Sequence, residues 1–161
     1  MPPIQHRSPR LYVVKKSAIH GRGVFAATTI PKGTRIIEYT GERIPHTEAA
    51  IRYKGDPDPN TIVLLFTVNR KIVLDAAVGG NDARFINHSC SPNCETVDDD
   101  GRIFIEAIRR IEPGEELTYD YHLTLGARRT KKDEIAYRCG CGSPKCRGTM
   151  LAPPQKRKPR K

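Results

Sequence analysis

Two cysteine-bearing segments far apart in the chain, RFINHSCSPNC at Arg84 to Cys94 and RCGCGSPKCRG at Arg138 to Gly148, most limit what this sequence can fold into. Cys139 and Cys141 are separated by one residue and Cys146 follows five later, while Gly140, Gly142 and Gly148 permit the tight backbone that gathers three sulfurs around one ion. Three such ligands need a fourth, and the Arg84 segment offers Cys90 and Cys94. Five cysteines are an odd number, and the tail cluster is too tight for ordinary disulfide pairing, so metal ligation outranks a disulfide framework.

With 161 residues, the chain has the length of one domain with a respectable core. Its longest apolar run, Ile62 to Phe66, falls far short of the ~20 residues of a membrane span, and MPPIQHRSPR lacks a signal-peptide core. The expectation is a soluble protein of a reducing compartment with no membrane contact. Most of the net charge of +10 sits at the ends, in Arg7, Arg10, Lys15 and Lys16 and in Lys156, Arg157, Lys158, Arg160 and Lys161, which leaves the interior nearly neutral. Such ends suit nucleic acid, an acidic partner or an import receptor, and equally a solvated tail.

Short β-branched runs punctuated by Gly, Pro, Asn and Asp predict a mostly β fold. Strands are expected at Leu11 to Lys15, Val24 to Ala27, Arg35 to Tyr39, Ile62 to Val68, Lys71 to Ala76, Cys94 to Val97, Arg102 to Ala107 and Leu117 to Tyr121. Asn69-Arg70 and Asp100-Gly101 read as hairpin turns, the second of type I′. His46 to Tyr53 is the best short helix, with Thr47 as its N-cap. The charged stretch Leu123 to Tyr137 reads as a mobile connector, and Ala152 to Lys161 as a basic disordered tail.

The segment at Arg84 to Cys94, with ELTYDY at Glu116 to Tyr121 and HGRG at His20 to Gly23, resembles the SET-domain family of S-adenosylmethionine-dependent protein lysine methyltransferases. The likeness covers roughly Tyr12 to Leu151. It implies several short β-sheets, few short helices, a knot-like C-terminal crossing and a zinc-stapled tail. The corresponding division is an N-terminal arm at 1–10, a catalytic domain at 11–122, a connector at 123–137, a post-SET zinc segment at 138–151 and the tail at 152–161. The resemblance makes Cys90 the fourth ligand beside Cys139, Cys141 and Cys146. Four thiolates leave no open position, so one structural zinc ion is implied. Cys94 is then a small buried hydrophobe.

By the same resemblance His20, Gly21, Arg22 and Gly23 meet the methionine end of S-adenosylmethionine, Asn87 and His88 form a second cofactor element, and the pocket lies under the zinc staple. Transfer to lysine is an in-line displacement that needs a neutral amine in a narrow, water-poor channel. An ordinary lysine has a pKa of about 10.4, which a nearby sulfonium and an apolar wall lower. Tyr119 and Tyr121, two apart on an expected strand, share a face suited to that lining. The resemblance assigns Tyr121 to orienting the reacting centre and Tyr119 to setting methyl number, with monomethylation favoured and dimethylation allowed. Leu64 and Phe66 complete the channel. Leu64 stands where many relatives carry another tyrosine, so a slow enzyme is expected.

Tyr39-Thr40-Gly41-Glu42 is expected to be structural. An extended peptide should pair with the Ile62 strand, and Asp56, Asp58, Asp98, Asp99, Asp100, Asp133 and Glu134 either meet a basic peptide or are turn residues. The expected partner is a basic protein presenting a lysine, such as a histone, met by a monomer whose basic termini can touch nucleic acid. Its setting is a nucleus or chromosome, or a bacterial cytoplasm with delivery to a host. Two other readings remain: a catalytically inactive SET module that binds peptide or cofactor, and a zinc-knuckle nucleic-acid-binding protein.

Overall fold

Turn chemistry sets most strand boundaries. The computed structural model describes residues 10–154 apart from 57, 59, 61, 62, 126 and 127. Most of the N-terminal arm, the basic tail beyond 154 and the Ile62 end of an expected strand therefore lie outside the described residues. Asp100 and Gly101 both have positive φ, 52° and 78°, the geometry of a type I′ turn, and Asp98 accepts the Gly101 N–H at 2.7 Å. That turn joins β8 (Cys94–Asp99) to β9 (Arg102–Ala107), which pair antiparallel. Asn69 caps the other hairpin by accepting the N–H groups of Lys71 and Ile72, between β5 (Leu65–Thr67) and β6 (Ile72–Asp75).

Among the described residues the strands form four small sheets. β1 (Tyr12–Lys16) pairs with β2 (Arg22–Ala26), β3 (Arg35–Tyr39) joins β9 and β8, and β4 (Glu42–Pro45) joins β6 and β5. The fourth pairs β7 (Asn87–His88) with β10 (Thr118–Tyr119) in parallel, matching Thr118 to Asn87 and Tyr119 to His88. Parallel neighbours need a long crossover, and here it runs through β8 and β9. The mostly β expectation holds. β4 was missing from it because only Ile44 of its four residues is buried, and Val63 and Leu64, expected in a strand, form a turn ahead of β5.

Two local expectations are corrected. The helix α1 (His46–Arg52) is not capped by Thr47. Its N-cap is Pro45, with no side-chain cap, because the chain passes directly from β4 into the helix and proline's φ of −64° serves both. The stretch read as a mobile connector contains α2 (Lys131–Ala136), opened by a capping box in which Thr130 Oγ accepts the Asp133 N–H and Asp133 accepts the Thr130 N–H. No residue of α2 is buried, which is why its apolar periodicity is faint.

Val24, Ile30, Ile86, Ile105, Ile111 and Leu117 are buried at the centre. Each such side chain contributes roughly 1.5–3 kcal/mol. Leu117 donates its N–H to Val24 and Phe25 bridges Glu116, so the core draws the HGRG strand against the ELTYDY segment. The tail is stitched on by Leu123 N–H to Met150 and Met150 N–H to Tyr137.

Candidate functional site

The parallel β7–β10 pair sets Asn87 and His88 beside Thr118 and Tyr119, and Asn87, His88 and the nearby Tyr121 line a cavity of about 550 Å³. His20, Gly21 and Arg22 form one wall, Leu64 and Phe85 another, and Arg138, Cys139, Gly140 and Met150 of the tail a third. Segments predicted separately from the sequence thus converge. Gly23 lies beneath the loop, and a side chain there would run into the Glu116 carboxylate.

Glu116 organises this region and was not singled out from the sequence. Its oxygens accept Ser17 Oγ–H at 2.7 and 2.8 Å and the Asn87 amide at 2.8 Å. The Asn87 amide also donates to the carbonyls of His20 and Arg22 at 3.2 and 3.0 Å. The side-chain donors of Asn87 are therefore spent on shaping the loop. A glutamate opening the ELTYDY run was the available signal, but the partners it meets across the fold cannot be read from a motif.

Tyr121 is held from two directions. Its hydroxyl donates to the Ile86 carbonyl at 2.6 Å and its backbone N–H to His88 Nδ1 at 3.1 Å. Its ring lies 4.9 Å from that of Tyr119 and 5.3 Å from that of His88. Burial, then the neighbouring Tyr39 and Glu116, push the Tyr121 hydroxyl well above its ordinary range, and burial does the same for Tyr119. Both are neutral phenols at physiological pH. Burial lowers His88 to about 4, so its ring is neutral too.

A second cavity, of about 380 Å³, is bordered by Phe66, Tyr119, Asp120, His122 and Thr67. Val63 and Tyr121 line both cavities. Leu64 and Phe66, expected together in one channel, are thus divided: Leu64 borders the larger cavity and Phe66 the smaller. Behind them buried Tyr39 packs on Phe66 at 5.4 Å and donates its hydroxyl to the Leu64 carbonyl at 3.2 Å. Gly41 passes so close to the Asp75 backbone that a Cβ would fall 2.6 Å from its carbonyl oxygen, a packing role for this element. Buried Asp75 in turn accepts from Arg52 and Tyr53.

Cys90, Cys139, Cys141 and Cys146 place all four sulfurs within 4.8 Å of one another. Cys90 Sγ lies 3.8 Å from Cys139 Sγ and 4.0 Å from Cys146 Sγ. A tetrahedron with metal–sulfur bonds of about 2.3 Å has edges of about 3.8 Å, so the set fits one ion. Backbone N–H groups of Cys141, Arg147 and Gly148 point at Cys139, Cys90 and Cys146 sulfurs from 3.3 to 3.4 Å, favouring thiolates. At Cys141 burial opposes ionisation, but N–H donors at 90 and 143 outweigh it and bring the thiol to about 6. Cys94 lies apart, buried in the core, where burial pushes it up to about 12.

The tail is also clamped electrostatically. Arg147 grips Asp120, between the two tyrosines, at 2.6 and 3.0 Å. Burial alone would raise the Asp120 carboxyl, but Arg147 and the His122 N–H hold it below its usual range. Of the acidic residues considered for a basic peptide, Asp98 and Asp133 serve a turn and a cap, Asp58 accepts the Asn60 N–H, Asp99 pairs with Arg35 and Glu134 with Arg129. Among the described residues, no helix is long and apolar enough to cross a membrane.

A family model described as "SET domain" matches residues 21–122. Among curated proteins, the chain is 43% identical over 139 residues to "Histone-lysine N-methyltransferase trr" of Drosophila melanogaster, covering 84% of this chain and 6% of that protein. It is 40% identical over 139 residues to "Histone-lysine N-methyltransferase 2D" of Homo sapiens, covering 84% and 2%. With "Histone-lysine N-methyltransferase, H3 lysine-4 specific" of Saccharomyces cerevisiae it shares 44% over 141 residues, covering 84% and 13%. The chain thus spans a small part of the length of each of these relatives.

Proposed function

The chain belongs to the SET-domain family, and from that premise we propose that it transfers methyl groups from S-adenosylmethionine to lysine side chains of a basic protein, such as a histone tail. The observation that carries this reading is the pair of cavities sharing Tyr121 and Val63 as walls. One would take the donor and the other the lysine, with the reaction at their common boundary.

The larger cavity fits the donor. About 550 Å³ is within the usual 300–1,000 Å³ of a cofactor site. Arg22, Arg84 and Arg138 line it and no carboxylate does among the described residues, which suits the amino-acid carboxylate. When bound, S-adenosylmethionine supplies an electrophilic methyl carbon on a sulfonium, which the lysine nitrogen takes while the C–S electron pair returns to sulfur. The protein's own part is placement. Because Tyr121 donates its proton to Ile86, its oxygen lone pairs are left to face the reacting groups. Neither tyrosine nor His88 is poised as a base at neutral pH, so the amine must reach the channel deprotonated. A water held by the Tyr119 hydroxyl would occupy space needed by a second methyl group, which makes monomethylation the favoured outcome.

Residues 11–122 form the catalytic domain in this reading, with Phe66 and the Leu65–Thr67 edge on the peptide side. Residues 138–151 form a zinc segment in which Cys90, Cys139, Cys141 and Cys146 hold one structural ion. The ion would supply no chemistry beyond fastening the tail that walls the donor cavity. Chromatin is the matching setting.

Labelled methyl transfer to histones and other basic proteins tests the proposal, with Tyr121→Phe and Asn87→Ala as controls. Incorporation into lysine that falls at least about 100-fold, roughly 2.7 kcal/mol, in Tyr121→Phe supports it. No incorporation into any acceptor, or incorporation in both variants undiminished from that of the unmodified protein, overturns it.

A further inference from the structure

We propose that His88 is a positioning residue that ties the four-cysteine centre to Tyr121, so that filling the sulfur cluster sets the placement of the tyrosine. The proposal rests on the metal-site reading above and on Tyr121 facing the reacting groups. It gives His88 a role distinct from touching a cofactor.

Both ring nitrogens are already committed. The Tyr121 backbone N–H can only donate, so Nδ1, 3.1 Å away, must carry the lone pair. In a neutral imidazole the proton then sits on Nε2, and Nε2 lies 3.4 Å from Cys90 Sγ. One ring therefore spans the distance between a metal-ligand sulfur and the backbone of the tyrosine. The Asp120 carboxylate stands 3.6 Å from Nδ1, but both atoms are acceptors and the carboxylate is held by Arg147, so it adds no bond to the ring.

Position in the sheet explains why such a link is needed. The β7–β10 ladder ends at the His88–Tyr119 pair, with one more bond from the Ser89 N–H to the Tyr119 carbonyl. Tyr121 lies past that end. Its backbone N–H is satisfied by the His88 ring in place of a strand neighbour. The His88 side chain is only 1% exposed, so its nitrogens are satisfied chiefly by protein atoms. A metal-bound thiolate is a strong acceptor for Nε2–H, whereas a free thiol is a weak one. Losing the ion would release one end of the ring and loosen the other.

Direct detection uses the unmodified protein loaded with a spin-half isotope of cadmium, which binds four-thiolate sites. Scalar coupling from cadmium through sulfur to the His88 Nε2 proton is expected, alongside coupling to the Arg147 amide proton. Coupling at Arg147 with none at His88 overturns the proposal, and so does failure of the protein to bind cadmium at all. Two variants add a functional reading. His88→Phe keeps ring volume without either nitrogen and should weaken metal affinity about 10–100-fold, speed hydrogen exchange at the Tyr121 amide and lower kcat with peptide KM unchanged. His88→Gln retains an N–H donor and should recover part of the metal affinity. A Phe variant with unaltered metal affinity and unaltered Tyr121 exchange refutes the link. The metal and exchange measurements need neither methyl donor nor acceptor, so they stand even where the methyltransferase reading fails.

Discussion

Gly23→Ala should destabilise the domain by about 3 kcal/mol, and by under about 1 kcal/mol once Glu116 has been cut back to alanine. A Cβ at position 23 runs into the Glu116 carboxylate, lying 2.9 Å from its Cδ and 3.0 Å from Ser17 Cβ. The φ of Gly23 is not in the left-handed region, so the cost is one of space and not of backbone strain. A glutamate tip could ordinarily swing aside, but this one is held by Ser17 and Asn87 at 2.7 to 2.8 Å. Hydrogen bonds to a charged group are worth about 1.5–3 kcal/mol each. Displacing the carboxylate loses the Ser17 bond in full and the Asn87 bond in part, since Asn87 keeps the His20 and Arg22 carbonyls, and this gives the total of about 3 kcal/mol. Glu116→Ala breaks the same bonds, so the two substitutions should not add. Denaturant melts with zinc in excess should show a coupling of about 2 kcal/mol at constant m, and each single variant should melt about 6–12 °C lower. Costs that sum to within about 0.5 kcal/mol would refute the claim that Glu116 braces the loop.

Tyr119→Phe should shift products from monomethyl to dimethyl and trimethyl lysine; an unchanged mass spectrum would remove Tyr119 from control of methyl number. Chelation should free residues 138–151, seen as faster hydrogen exchange there, and weaken donor affinity measured by calorimetry; a donor affinity that ignores the chelator contradicts the tail's role as a cavity wall. Cys94 is held protonated by burial, with a folded pKa of about 12 against an ordinary value near 9. Its neutral form favours the folded state, so its contribution is intact below pH 9 and falls as pH rises from 9 towards 12, by up to about 1.4 kcal/mol per pH unit. Wild type should lose stability faster than Cys94→Ala across that window, and parallel pH curves for the two would show that the thiol is not desolvated.

What could be read along the chain was whatever contiguous residues settle among themselves. Asp100-Gly101 takes positive φ because of its own chemistry, the strands at Arg35 to Tyr39 and Arg102 to Ala107 follow from β-branched alternation, and Cys139, Cys141 and Cys146 lie within loop reach of one ion. Family resemblance supplied Cys90, which the fold does bring to the other three sulfurs. The helix at Lys131 to Ala136 escaped notice because it buries nothing, although Thr130 and Asp133 carry its start signal. Thr47 looked like a cap only because a strand running straight into a helix at Pro45 was not foreseen.

Glu116, His88 and Tyr121 belong to another class. Their roles depend on which donors and acceptors meet them after water has been excluded, and the partners that settle this, Ser17 for Glu116, Ile86 for Tyr121 and the Tyr121 N–H for His88, are remote in the chain. Spacing and residue type suffice where the deciding interactions are between neighbours. Desolvation and hydrogen bonding across crossing segments exist only once the chain has closed on itself, so the raised Tyr121 hydroxyl and the anchoring of the His88 ring to the Tyr121 N–H were decided by packing.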